Sequence, residues 1–103
     1  MRDRGYDLIR HIVFFSAKEP GDIATIADGL RLLGGIPGAD VFEVGTNAKL
    51  DALSDAVDLV VYAEFSDEAA LQAWKSHPLY AEAIRVVRPL RELRHSADIF
   101  SPG

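Results

Sequence analysis

Three histidines, His11, His77 and His95, are the side chains of this sequence best suited to moving protons near neutral pH, because an imidazole titrates at about 6.5. His11 lies inside the β-branched and aromatic run Ile9-Arg10-His11-Ile12-Val13-Phe14-Phe15. There it is either a core histidine bonded to backbone or side chain, or a pocket group that orients a ligand or transfers a proton. His77 precedes Pro78; it either closes a helix end, where a cation is favoured, or lines the same pocket. Trp74 and Tyr80 stand to either side of it and are either core filling or the walls of a ligand site. A tyrosine hydroxyl, which titrates at about 10, serves better as a hydrogen-bond donor to a carbonyl than as a base. His11, Trp74, His77 and Tyr80 are therefore the candidate ligand-binding residues; no catalytic residue is assigned among them.

Other chemistry is thinner. Arg85, Arg88, Arg91 and Arg94 form a basic run that is either a solvated face or an anion site, and the interleaved Glu82 and Glu92 favour the solvated face. The three histidines fall in separate segments with no His-x-x-x-His, and Asp55 with Asp58 is an ordinary loop pair, so no metal site is expected. The absence of cysteine excludes disulfides, thiolate metal centres, iron–sulfur clusters and cysteine nucleophiles. No Gly-x-Gly-x-x-Gly, P-loop or Gly-x-Ser-x-Gly occurs, and no cofactor is expected.

The elements that must position these residues follow from periodicity. A first strand is predicted over 8–16, with His11, Val13 and Phe15 on one face and Ile12 and Phe14 on the other. Glu19-Pro20-Gly21-Asp22 turns into a helix whose stripe is Ile23, Ile26, Ala27, Leu30 and Leu33, stopped by Gly34-Gly35 as a left-handed cap. A second strand is predicted over 40–46, then a polar connection at 47–55 with room for one short helical turn. The third strand, 58–65, is the most apolar, with Leu59, Val61, Ala63 and Phe65 on one side and Val60, Tyr62 and Glu64 on the other. Ser66-Asp67-Glu68 opens a helix with the stripe Ala70, Leu71 and Trp74, ending near His77. Pro78 starts a further helical segment to about Val87, and Pro89 ends it. A last strand at about 90–100 has a pattern interrupted by Arg91, Arg94 and His95.

The order is βαβ followed by βαβ, which predicts an α+β, ferredoxin-like antiparallel sheet with helices on one face. With 103 residues and no linker, the chain reads as a single domain over 1–103 with a core at about 9–100. The sheet face away from the helices would present Ile12, Phe14, Val60 and Tyr62, more apolar surface than a monomer leaves wet. A second copy packing sheet to sheet would cover it, making a homodimer closed into an α/β barrel.

A composition of 49% apolar and 26% charged residues is that of a folded soluble domain, and the net charge of −5 disfavours nucleic acid and anionic membrane as partners. No apolar run approaches the roughly 20 residues of a membrane span. Met1-Arg2-Asp3-Arg4-Gly5-Tyr6-Asp7 lacks the apolar stretch of a signal peptide, so a cytoplasmic location is the expectation.

Taken in order, Arg10-His11-Ile12-Val13-Phe14-Phe15, Ile36-Pro37-Gly38, Phe42-Glu43-Val44-Gly45-Thr46-Asn47, Asp58 to Phe65, Trp74-Lys75-Ser76-His77-Pro78 and Asp98 resemble the landmarks of the stress-responsive α/β-barrel (Dabb) family. The resemblance spans roughly 9–100. It implies a homodimer of ferredoxin-like chains and no single activity. A plant polyketide cyclase in the family uses a His-Pro-x-His motif whose last histidine is the base, a tyrosine six residues before it, and a histidine on the third strand. Here those positions hold Tyr80, Trp74 and Leu59, and only His11 and His77 match pocket positions. The first reading is a small stress-responsive homodimer without demonstrated catalysis. The alternative is a cofactor-free cyclase-, isomerase- or monooxygenase-like enzyme acting on an aromatic or polyketide-like molecule between sheet and helices. A ligand-binding module without turnover is a third reading. A small hydrophobic ligand is the partner that both pocket readings share.

Overall fold

Alternation of buried and exposed side chains begins at once in the computed structural model, which describes residues 8–101. Strand β1 (Leu8–Ala17) buries Ile9, His11, Val13 and Phe15 and turns Ile12 and Phe14 to the opposite face. A 3-10 turn over Pro20–Asp22 leads into helix α1 (Ile23–Arg31), which buries Ile26, Ala27 and Leu30. Strands β2 (Val41–Thr46) and β3 (Leu59–Phe65) follow, then helices α2 (Glu68–Lys75) and α3 (Pro78–Val87), and finally β4 (Arg91–Ser101). No helix among the described residues is long and apolar enough to cross a membrane.

The sheet has the order β2-β3-β1-β4 and every pairing is antiparallel. Two crossovers of the split-βαβ kind produce that order, and the helices lie on the face that carries Leu59, Val61, Ala63 and Phe65. This is the α+β, ferredoxin-like architecture that the element order predicts. β2 and β4 are its two edges.

Local chemistry sets the helix ends. Asp67 accepts a hydrogen bond from the Ala70 N–H at 2.8 Å, satisfying one of the free donors of α2. Pro78 occupies the first turn of α3, where its missing N–H costs nothing. Two details differ from the sequence reading. Gly34 and Gly35 are not a left-handed cap; they continue α1 as a 3-10 segment over Leu32–Gly35, and Gly38 is the only described glycine with positive φ. What requires their small size is close approach, because a Cβ on Gly34 would meet the Phe42 ring at 3.3 Å and one on Gly35 would meet Leu79 Cδ1 at 3.1 Å. The 47–58 connection also holds no helical turn. The Asn47 amide instead donates to the carbonyls of Ser54 and Val57, at 2.9 and 2.8 Å, and so folds the loop back on itself.

Pairing between β1 and β4 shifts register near one end. Phe15 stands opposite Arg94 and Ala17 opposite Arg91, so three residues of β4 span two of β1. The Leu93 N–H in that interval donates to the Ser16 hydroxyl at 3.1 Å.

Candidate functional site

Period 2 in β1 puts His11 on the helix-facing side, where it is 2% exposed. The register with β4 sets Asp98 directly opposite, and His11 Nδ1 lies 2.5 Å from Asp98 Oδ1. An ionised carboxylate can only accept, so Nδ1 carries the proton and, when the ring is neutral, the lone pair is on Nε2. The Asp98 side chain is 41% exposed, so the pair joins the buried layer to the edge of the sheet.

Trp74, on α2 and 1% exposed, is the centre of the aromatic cluster around this histidine. Its ring centroid is 5.2 Å from Phe65, 5.5 Å from Tyr80, 5.9 Å from His11 and 6.2 Å from Phe42, all inclined rather than stacked. The contacts with Phe65, Tyr80 and His11 are the edge-to-face arrangements that ring quadrupoles favour, and that with Phe42 is tilted at 50°. Its indole Nε1 is buried without a hydrogen-bond partner among the described residues.

Between sheet and helices a cavity of about 300 Å³ remains open. His11, Trp74 and Tyr80 line it together with Val13 and Phe15 of β1, Leu30 and Leu33 on and just after α1, and Ala83, Ile84 and Val87 of α3. The aromatic residues therefore form a wall without closing the space. His77 is not among the lining residues. Its Nδ1 accepts the Leu79 N–H at 3.1 Å and so caps the start of α3. That opens α3 rather than closing α2, and the bond is one that a neutral imidazole makes.

Two features of this region were not read from the sequence. Asp98 entered only as a landmark of the resemblance; its place beside His11 depends on a β1–β4 register that no local pattern states. Arg88, Arg91 and Arg94 line the cavity, whereas the sequence reads them as part of a solvated run. The expectation holds for exposure, since Arg85, Arg88 and Arg94 are exposed and only Arg91 is half-buried, and Arg85 pairs with Glu82 on the surface. That contact pushes the Glu82 carboxyl below its ordinary range and the Arg85 guanidinium above its own. The register shift in β4 explains part of the difference. By strict alternation Arg91 and Arg94 face opposite sides, and the extra residue brings both to the side of Phe15 and Ala17.

On the other sheet face the Arg10 guanidinium donates to the Tyr62 hydroxyl at 2.7 Å, and Tyr62 donates in turn to the Glu64 carboxylate. The bond to Glu64 raises the Tyr62 hydroxyl above the usual tyrosine value, because losing that proton would place two anions side by side. No three His, Cys, Asp or Glu side chains are grouped as a metal site among the described residues.

Over residues 9–101 the chain matches the family of stress responsive A/B barrel domains, Dabb. It belongs to that family. Several solved structures share the Dabb fold. A Dabb family protein with a ferredoxin-like fold from Mesorhizobium loti is 25% identical, with 93% of this chain and 98% of that one covered and a TM-score of 0.78. A dimeric ferredoxin-like protein of unknown function from Jannaschia is 22% identical over 91% and 99% of the two chains, with a TM-score of 0.82. The hydroxynitrile lyase of Passiflora edulis is 19% identical over 93% and 94%, with a TM-score of 0.76. No curated protein matches the chain.

Proposed function

We propose that this Dabb protein works as a homodimer that binds a small, largely apolar molecule in the cavity between its sheet and helices. The observation that carries the reading is the cavity itself, about 300 Å³ and lined by His11, Trp74 and Tyr80. That volume is at the low end for ligand pockets, which run from about 300 to 1,000 Å³, and suits a ligand of one or two rings. Dimerisation is supported by the outer sheet face, where Ile12, Phe14, Val60 and Tyr62 lie together and Phe14, Val41 and Ile99 are 37%, 41% and 48% exposed. The Jannaschia structure of the same fold is described as dimeric.

A neutral aromatic probe tests the binding. Trp74 is the only tryptophan of the chain, and it lines the cavity. Titration with 2-naphthamide is expected to quench its fluorescence saturably. Ala83→Leu, which enlarges a wall residue, is expected to weaken the probe about tenfold, equivalent to 1.4 kcal/mol. Absence of saturable quenching, with the protein folded by circular dichroism, would sink the proposal.

A second reading is favoured by one contact. With Nδ1 committed to Asp98, His11 is a base of fixed tautomer on the cavity wall, the arrangement needed to take a proton from a bound molecule. Proton transfer of this kind needs no metal or cofactor.

A further inference from the structure

Six arginines lie among the described residues, and they divide into two groups. Arg10 pairs with Glu64 at 3.4 Å, Arg31 with Asp28 at 2.9 Å, and Arg85 with Glu82. Arg88, Arg91 and Arg94 have no ion pair or side-chain hydrogen bond with any described residue, and these three are the arginines that line the cavity. The chain carries 16 acidic residues against 11 basic ones, so counter-charges are in ample supply elsewhere. Yet none is set against this wall. Arg91 is half-buried while Arg88 and Arg94 are exposed, and the rest of the lining is apolar apart from His11 and Tyr80.

From this we infer that the cavity selects a small organic acid, with the anionic head held by Arg88, Arg91 and Arg94 and the apolar body against Leu30, Leu33 and Val87. The inference rests on the binding reading above and adds the charge of the ligand. A guanidinium offers a planar fork of donors that meets the two oxygens of a carboxylate in parallel, and such charge-assisted pairs are about twice as strong as neutral ones. Two independent pieces of backbone deliver the groups. Arg88 follows the last turn of α3, while the register shift turns Arg91 to the side that Arg94 already faces. The cavity thus has opposite ends in the chemical sense: cations at one part of its wall, the Asp98-bound imidazole at another.

The test compares 2-naphthoate with 2-naphthamide, probes of nearly equal shape that differ in charge, both read by Trp74 fluorescence. Naphthoate is expected to bind at least about tenfold more tightly, with an advantage that shrinks as salt rises from low to physiological strength. Arg91→Gln and Arg94→Gln are each expected to remove most of that advantage, weakening naphthoate far more than naphthamide, with folding checked by circular dichroism. Arg94→Lys keeps the charge without the fork and should restore part of it. Equal affinity for the two probes, or a naphthoate affinity indifferent to both glutamine variants, overturns the inference and leaves the cavity reading standing. Binding of neither probe overturns both.

Discussion

A buried imidazole whose one nitrogen is committed to a carboxylate has its reactivity decided by that partner. Asp98 fixes which His11 nitrogen holds the proton and leaves the other free to take one. A small substrate that opens on deprotonation, 5-nitrobenzisoxazole, measures this directly. The protein is expected to open it faster than the same concentration of free imidazole. His11→Gln should reduce the rate about a hundredfold. Asp98→Asn should cost less, because the amide oxygen can still accept from Nδ1. A rate unmoved by His11→Gln would mean that the pair is structural. At this scale the sequence was half legible. His11 reads from period 2 as helix-facing, but its partner lies 87 residues away and is found only by folding the chain. His77 was legible as a residue beside a helix end, and the structure assigns it the start of α3 rather than the end of α2.

Elements approach one another as closely as their smallest side chains allow, and Gly29 marks the closest approach of α1 to α3. A Cβ there would lie 2.9 Å from Val86 Cγ1 and 2.9 Å from Val87 Cγ2, atoms on β-branched side chains that cannot swing away. Gly29→Ala gains up to about 1 kcal/mol in helix propensity and loses about 1–3 kcal/mol to overpacking. A lower urea midpoint is the expected outcome, and a higher one would show that the helix pair has slack. The strands and helices on either side were legible because their apolar residues repeat at regular intervals and Pro78 and Pro89 bound α3. β4 was the weakest reading for a reason that now has a physical form. Its positions on the cavity side carry Arg94 and Asp98 rather than core residues, and the register shift interrupts its alternation. Where the sequence pattern fails is where the cavity is.

At the scale of the molecule, the two faces of the sheet have different fates. One is covered by helices except at the cavity; the other needs a second chain if Ile12, Phe14, Val60 and Tyr62 are to leave water. Light scattering at micromolar concentration is expected to give twice the chain mass of 11.3 kDa. Phe14→Glu combined with Val60→Glu should return a single chain with its helix content intact, whereas unchanged mass would place the contact elsewhere. The alternation of β1 and β3 made that face visible in the sequence; which other residues rim it depends on strand order, which periodicity does not give. The position of β4 at the sheet edge carries a further consequence. Among the described residues it is an edge along which another strand can add, with Ile99 about half exposed near its end. An edge of that kind is a template for self-addition, and its length makes solubility depend on what keeps other strands away from it.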